Sequence, residues 1–235
     1  MNSTNNASAR QSYDIAKQIL FNAWINSFNG NTKQCWDWVN GRKLSQHEIR
    51  LEVELNTTNN RFAFGVTPNQ SNSTNVIFPT ENRLNLQDSL VASEYGIFVA
   101  QPASRTDVAF TLETYGNTQV FAVADAAALD STFYSNGTLQ TRVNNDVIIP
   151  YRGLFNHWYK PQTQQTGALG VGSPKDQVRG AEDGFVTQEP NLLLIGSKNY
   201  VPEVVLPGAL ASAANFLRCI LIYRGVLAQN STVVN

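Results

Sequence analysis

The side chains that could perform acid–base, nucleophilic or metal chemistry are few and widely spaced in this sequence. There are two histidines, His47 and His157, and two cysteines, Cys35 and Cys219. A zinc site needs several Cys or His ligands at close spacing, and these four residues form no such motif. No Gly-x-Ser-x-Gly segment presents a serine to either histidine, so the sequence does not predict a serine-hydrolase triad.

Carboxylate pairs are the remaining source of chemistry, because glycoside hydrolysis needs only two acids that meet in space. Glu182 and Asp183 are the candidates, although adjacent acids beside a glycine-rich segment are more typical of a solvated loop. Residues 167–176, GALGVGSPKD, match neither GxxxxGK[ST] nor GxGxxG, the nucleotide-binding patterns. We therefore expect no enzyme, no catalytic residue, no cofactor and no metal.

Three tryptophans, Trp36, Trp38 and Trp158, could bind a ligand by stacking. Indole rings stack on sugars or bases, but they also fill cores and interfaces. No set of polar residues accompanies them in sequence, so the packing interpretation is favoured. A carbohydrate-binding β-sandwich stays open as an alternative.

The composition argues against an electrostatic partner. Charged residues make up 15% of the 235 residues, and 17 Lys and Arg balance 18 Asp and Glu. A protein that binds nucleic acid usually has a basic face, which these numbers do not predict. The polar first ten residues do not resemble a signal peptide, so we expect synthesis in the cytoplasm.

Residues 12–28 carry the strongest helix pattern. Apolar side chains recur at spacings of three and four to form one stripe: Ile15, Ala16, Ile19, Leu20, Ala23, Trp24 and Phe28. The stripe could pack on this chain, on a neighbouring copy or on a membrane surface. Since Lys17 is the helix's one basic residue, packing against protein is favoured over a membrane surface.

Residues 47–55, HEIRLEVEL, show strict alternation of apolar and polar side chains, which is typical of an antiparallel strand with one buried face. Glu48, Glu52 and Glu54 are then expected on the solvated face. The longest apolar run lies within Leu206–Asn230, and we predict a buried strand there, near the centre of a sandwich.

Other segments predict further β structure. We expect hairpins from 107–113 with 118–122 and from TLQTRV with DVIIPY, and a short helix at 124–133. The glycine-rich segment 162–184 predicts a long loop with an interface role. The fold class is all-β, an antiparallel jelly-roll sandwich with an N-terminal helix, as either a tandem pair of rolls or a single elaborated roll.

Several of these segments together resemble the major capsid proteins of tailless icosahedral phages with an internal membrane, especially those of Flavobacterium. The resemblance lies in NRLNLQDSLVASEYGIFVAQP (82–102), LETYGNTQVF (112–121), PQTQQ (161–165), VVLPGALA (204–211) and ILIYRGVLAQNS (220–231). None of these is a catalytic signature.

The resemblance implies a double jelly roll with an N-terminal tail and helix at 1–40, a first roll at 41–135 and a second at 136–235. It also implies trimers that tile an icosahedral shell, contacts with other capsid and vertex proteins, and a virion location. The N-terminal region would lie low in the shell, towards the internal membrane or a neighbouring trimer. A minor or penton protein of a similar phage is the alternative.

Overall fold

The computed structural model describes residues 4–143, 146–160, 163–165, 172–174 and 184–232. Its helices are α1 (Thr4–Trp24), α2 (Thr32–Asn40) and α3 (Val123–Ala128), with 3₁₀ turns at Ile25–Phe28 and Leu154–His157 and a π-helix at Leu129–Tyr134. Its strands are β1 (Leu44–Glu54), β2 (Arg61–Ala63), β3 (Ser89–Ala100), β4 (Thr138–Val143), β5 (Asp146–Gly153), β6 (Thr163–Gln165), β7 (Gly172–Pro174), β8 (Phe185–Ile195), β9 (Tyr200–Val205) and β10 (Arg218–Ala228).

Eight of these strands form two four-stranded antiparallel sheets. Sheet A has the order β1-β10-β3-β8, and sheet B has the order β2-β9-β4-β5. The pairing is nested along the chain, since β1 pairs with β10, β2 with β9, β3 with β8 and β4 with β5. β6 and β7 pair with each other in a separate two-stranded antiparallel sheet. The predicted all-β sandwich with an N-terminal helix is confirmed.

The structure does not confirm the two jelly rolls expected at 41–135 and 136–235. Each sheet combines strands from both ranges, because β1 and β3 flank β10 while β2 and β4 flank β9. Residues on both sides of position 135 therefore share one core, in which Ile49 and Ile97 pack in the same cluster as Leu221.

β10 confirms the buried strand that the sequence predicts within Leu206–Asn230. It pairs on both sides and lies inside sheet A, with burial almost continuous from Arg218 to Tyr223. Gly225 sits at a register shift against β3, where a Cβ atom would lie 1.9 Å from the carbonyl oxygen of Val91. A side chain there would push these two strands apart.

The alternation in β1 places its apolar side chains on the inner face of the sheet, as predicted. Ile49, Leu51, Val53 and Leu55 are all buried in the core between the sheets.

The predicted hairpin of TLQTRV with DVIIPY is confirmed as β4 and β5. The predicted hairpin of 107–113 with 118–122 is wrong: both segments are loops, joined to the sheet by one bridge between Val99 and Glu113.

The N-terminal helix starts earlier than predicted, at Thr4 rather than Ser12. Its stripe packs on the chain's own sandwich, where Ala16 and Leu20 cluster with Val91 and Val226 on the outer face of sheet A. α2 lies beside it, and the ring of Phe21 stacks on Trp36 at 4.6 Å. Of the three surfaces considered for the stripe, the structure therefore selects its own sheet.

Candidate assembly surface

A buried ion pair lies on the outer face of sheet A, at the end away from α1. Arg218 Nη1 of β10 is 2.9 Å from Glu52 Oε2 of β1, and both side chains are fully buried. Arg50 Nε donates to the other carboxylate oxygen of Glu52 at 2.8 Å. Burial of two charges is costly unless pairing and hydrogen bonds compensate for the lost water, so the groups that cover this pair bear on its stability.

Two loops provide that cover. Arg218 Nη2 donates to the carbonyl oxygens of Ser104 and Arg105 at 3.0 and 2.7 Å. From the other loop, Thr80 Oγ1 donates to Glu52, and the ring of Phe78 stacks 4.2 Å from the Arg218 guanidinium. The ion pair therefore fastens both loops to the sheet.

A second carboxylate strengthens the loop that contains residues 78–83. Glu81 accepts from the backbone N–H groups of Glu52 and Phe78, and it pairs with Arg83 at 3.0 Å. Burial raises the pKa of Glu81, because desolvation of the carboxylate outweighs these bonds. The Glu81 carboxylate therefore holds the backbone of this loop against β1.

These contacts correct the sequence-based expectation that all three glutamates of β1 are solvated. Glu48 is exposed, Glu54 is half-buried, and Glu52 is completely buried. The alternation places Glu52 on the outer face as predicted. Alternation in one strand carries no information about loops that later cover that face.

His47 lies in an open polar groove of about 480 Å³ on the same outer face. Its Nε2 is 3.3 Å from Asn82 Nδ2. Arg224, also in the groove, pairs with Glu48 at 3.2 Å and stacks 3.6 Å over Phe185. Within the described ranges, no cluster of three or more potential metal ligands is found.

His157 is buried, not part of an open site. Its Nδ1 is 2.9 Å from the carbonyl oxygen of Gly184, and its ring packs against Tyr95 with centroids 4.8 Å apart. Burial lowers the pKa of His157 to about 4. A buried, neutral imidazole in a ring contact stabilises the fold and cannot reach a substrate from solvent.

The two cysteines lie in different clusters and are both free thiols. Burial raises the pKa of the Cys219 thiol far above its ordinary value, and it raises that of Cys35 as well. A thiol that stays protonated is a poor nucleophile. Both residues are packing residues.

The structure separates the three tryptophans proposed as a ligand site. Trp36 and Trp38 lie on α2, where their rings pack against Phe21, Trp24 and Phe28 of the N-terminal segment. Trp158 lies after β5 and donates its Nε1–H to Asp130 at 3.0 Å. Their faces do not converge on one groove.

Large apolar side chains are exposed most densely along the edge of sheet B. Ten such side chains are strongly exposed in the described part of the chain, and five of them fall within residues 147–158. We call these five the edge surface: Val147 (52% exposed), Ile148 (42%), Tyr151 (64%), Phe155 (61%) and Trp158 (45%).

The backbone of β5 explains why these side chains point outwards. β5 is the last strand of sheet B, and its register against β4 shifts twice, around Thr141, each time with one extra residue on β5. The shifts interrupt the alternation, so Val147 and Ile148 are exposed consecutively. A doubly bulged edge is a poor template for strand addition.

An apolar groove of about 330 Å³ continues the edge surface towards α1. Its walls come from α1, from β8 and from the ends of β4, β5 and β9: Ala23, Trp24, Val143, Ile148, Leu193, Ile195, Lys198 and Tyr200. The edges of both sheets meet on this side, where Arg152 Nη2 donates to the carbonyl oxygen of Glu189 at 3.1 Å. The groove and the edge surface share Ile148.

Two of the sequence-based predictions concern residues that the structure does not describe. Glu182 and Asp183 lie outside the described ranges, as does most of the predicted loop 162–184. Sequence reasoning did not identify the edge surface, although consecutive apolar residues in DVIIPY break the alternation of a half-buried strand. That break was the available signal.

Comparison of the chain with family models, with curated proteins and with solved structures finds no match. None of the helices in the described ranges has the length and hydropathy needed to cross a bilayer.

Proposed function

We propose that this chain is a structural subunit of an icosahedral viral shell and acts by self-assembly, without catalysis. The observation that carries the proposal is the edge surface, where five large apolar side chains are exposed within one short segment, on the edge strand β5 and in the turn that follows it. A monomer gains nothing from this exposure, whereas a subunit buries it against a neighbour. The sequence resemblance to capsid proteins of internal-membrane phages supports the same function.

The proposed form of the subunit is a single jelly roll. The nested pairing of β1 with β10, β2 with β9, β3 with β8 and β4 with β5 is that of a long hairpin rolled into two four-stranded sheets. An eight-stranded roll of this kind is used in viral capsids, among other proteins. A double jelly roll would need a second sandwich, and the described strands form one.

The number of rolls in the chain helps to distinguish between a major capsid protein and a vertex protein. A major capsid protein of the resembled type is expected as a trimer of double rolls, and a vertex protein as a pentamer around a fivefold axis. One sandwich per chain favours the vertex or minor component over the major one. The proposed partners are other copies of this chain and neighbouring capsid proteins.

A membrane-facing role for α1 has less support than the self-assembly role. Its apolar stripe is used on sheet A, where Ala16 and Leu20 are fully buried. Two residues of that stripe are exposed, Ile15 at 41% and the small side chain of Ala23. We therefore do not include the membrane among the proposed partners of the described helix.

The test is the size of the purified full-length chain, by chromatography with light scattering and by electron microscopy. We expect a closed oligomer, and we expect Tyr151→Asp with Phe155→Asp to convert it to a folded monomer. Ile15→Asp is the matched control, since Ile15 is as exposed as Ile148 but lies on the helix. A monomeric wild-type chain that binds a glycan would refute the proposal.

A further inference from the structure

Three asparagines of this chain are each followed directly by glycine, and all three side chains are exposed: Asn29 before Gly30, Asn40 before Gly41, and Asn136 before Gly137. Asparagine before glycine is the dipeptide most prone to spontaneous deamidation, because the glycine has no side chain to shield its backbone nitrogen. Exposure of the asparagine does not distinguish the three steps. The hydrogen bond made by each glycine N–H group does.

Deamidation begins when the backbone nitrogen of the glycine attacks the side-chain carbonyl carbon, Cγ, of the asparagine. An N–Cγ bond forms, the Cγ–Nδ2 bond breaks, and Nδ2 leaves as ammonia with the proton of the glycine nitrogen. Water then opens the resulting succinimide at either of its two carbonyl carbons, which gives aspartate or isoaspartate. A glycine N–H group that donates to a carbonyl oxygen must first break that hydrogen bond, so the fold controls the first step.

The step at Asn136 is held most firmly. The N–H group of Gly137 donates to the carbonyl oxygen of Phe133 at 2.9 Å, and the carbonyl oxygen of Gly137 accepts from the N–H group of Leu154 at 2.9 Å. The side-chain amide of Asn136 also donates to the carbonyl oxygen of Ser131 at 2.6 Å. Because Gly137 is buried and bonds to two segments, release of its N–H group requires local opening of the core.

The step at Asn40 is held at the end of α2. The N–H group of Gly41 is shared between the carbonyl oxygens of Asp37 and Trp38, at 3.1 and 3.2 Å. The next residue, Arg42, donates its Nε–H to the same carbonyl oxygen of Trp38 at 3.2 Å, and its Cζ lies 4.9 Å from the centroid of the Trp38 ring. These side-chain contacts hold the backbone on both sides of the glycine.

The step at Asn29 lies between α1 and α2 and has the least support. The N–H group of Gly30 donates to the carbonyl oxygen of Ile25 at 3.1 Å, and the 3₁₀ turn Ile25–Phe28 contains no buried residue. Asn29 and Gly30 both have left-handed backbone conformations, with φ of 52° and 76°. A Cβ atom on Gly30 would have no neighbour within 4 Å among the described residues, so packing at this point does not oppose opening of the turn.

We propose that Asn29 is the residue at which the folded chain deamidates, while Asn40 and Asn136 are protected until the chain unfolds. This modification does not depend on the proposed function. Aspartate at this position adds a negative charge near the N-terminus of α2, where the helix dipole favours it. Isoaspartate also adds a methylene group to the main chain, so we expect it to disturb the contact between Phe28 and Trp38, whose ring centroids are 5.7 Å apart.

The experiment incubates the full-length chain in mildly alkaline buffer, which favours attack by the glycine nitrogen, and follows each asparagine by peptide mapping with mass spectrometry. We expect Asn29 to convert at least about tenfold faster than Asn136 in the folded chain, because an exposed turn opens at a lower free energy than the core. In denaturant, the three steps should convert at similar rates. Hydrogen exchange gives an independent readout, in which the Gly30 amide should exchange faster than those of Gly41 and Gly137.

Asn29→Gly is the matched control, because glycine adopts the left-handed conformation and lacks the reactive side chain. It should abolish conversion at this step and leave the rates at Asn40 and Asn136 unchanged. Conversion of Asn40 or Asn136 before Asn29 in the folded chain would refute the assignment. The assignment also fails if Asn29 stays unmodified in the folded chain while denaturant allows all three to convert, or if folding changes none of the three rates.

Discussion

The inner face of sheet A packs against sheet B, whereas the outer face is covered by α1 and α2 at one end and by two loops at the other. The same strands carry both faces. On β10, Cys219, Leu221 and Tyr223 belong to the core between the sheets, while Arg218 belongs to the outer face. The polar groups buried on the two faces differ in kind.

The inner face buries neutral polar groups, and the outer face buries ions. The hydroxyl of Tyr95 has no hydrogen-bond partner among the described residues, and its ring packs against the neutral ring of His157. Arg218 and Glu52 are charged, but loop carbonyls and a hydroxyl surround them. A loop offers free backbone groups that a paired strand does not, so charge is best satisfied under loops.

The largest expected effect comes from Arg218→Ala. This change leaves Glu52 buried without its partner and removes the cation between Phe78 and Phe110. We expect the free energy of unfolding to fall by about 3 to 5 kcal/mol, as measured by chemical denaturation. The loops at 76–82 and 103–110 should lose protection from hydrogen exchange before the core does.

The paired control is Arg218→Met with Glu52→Met, which removes both charges together. Replacing a buried ion pair by apolar residues of similar volume is often close to neutral, so we expect recovery of most of the lost stability. If the double variant is as unstable as Arg218→Ala, the charge pairing is not what the single variant lost.

On the inner face, Leu221→Ala is expected to cost about 3 kcal/mol. Leu221 is fully buried, and truncation removes apolar contacts and leaves a cavity between the sheets. For Arg218→Ala we expect the covering loops to lose hydrogen-exchange protection first, whereas for Leu221→Ala the loss should extend through the strands of the sheet. The control is Leu86→Ala, at a partly exposed position, whose free energy of unfolding is measured in the same way. A smaller cost at Leu221 than at Leu86 would contradict the assignment of the core.

Acid should weaken the inner face through His157. Its pKa in the folded chain, about 4, lies below the ordinary value of 6.5, so the unfolded chain takes up the proton first as the pH falls. The stabilisation is therefore complete above pH 6.5, falls between there and pH 4, and totals roughly 3 kcal/mol. We expect His157→Gln to flatten this part of the pH–stability curve.

The control for acid sensitivity is His47→Gln, which removes the histidine of the outer face and retains His157. It should show the same fall as the wild type between pH 6.5 and pH 4. Equal slopes for the wild type and His157→Gln would show that His157 does not carry the effect.

The smallest of these effects is expected for Thr80→Val on the outer face. The change keeps the shape but removes the hydroxyl that donates to Glu52, and a hydrogen bond to a charged group contributes about 1.5 to 3 kcal/mol. Thr57→Val, at an exposed position, should change stability by less than about 0.5 kcal/mol. A cost at Thr80 no greater than at Thr57 would show that the ion pair does not depend on this loop.

The sequence by itself determined the elements with a strong local period. Alternation in HEIRLEVEL fixed which face of β1 is buried, and the three-four spacing fixed the apolar stripe of α1. The continuous apolar run correctly placed β10 inside a sheet. These properties depend on residues that are close together along the chain, so they can be read from the sequence alone.

Only the tertiary structure decided which strands share a sheet and what covers the outer face. Nested pairing joins β1 to β10 across most of the chain, so no local pattern could separate one sandwich from two. Glu52 resembles its solvated neighbours Glu48 and Glu54 in sequence, yet it meets Arg218, 166 residues away, beneath loops that have no period of their own. Burial of a charge depends on long-range contacts, and those form only when the whole chain folds.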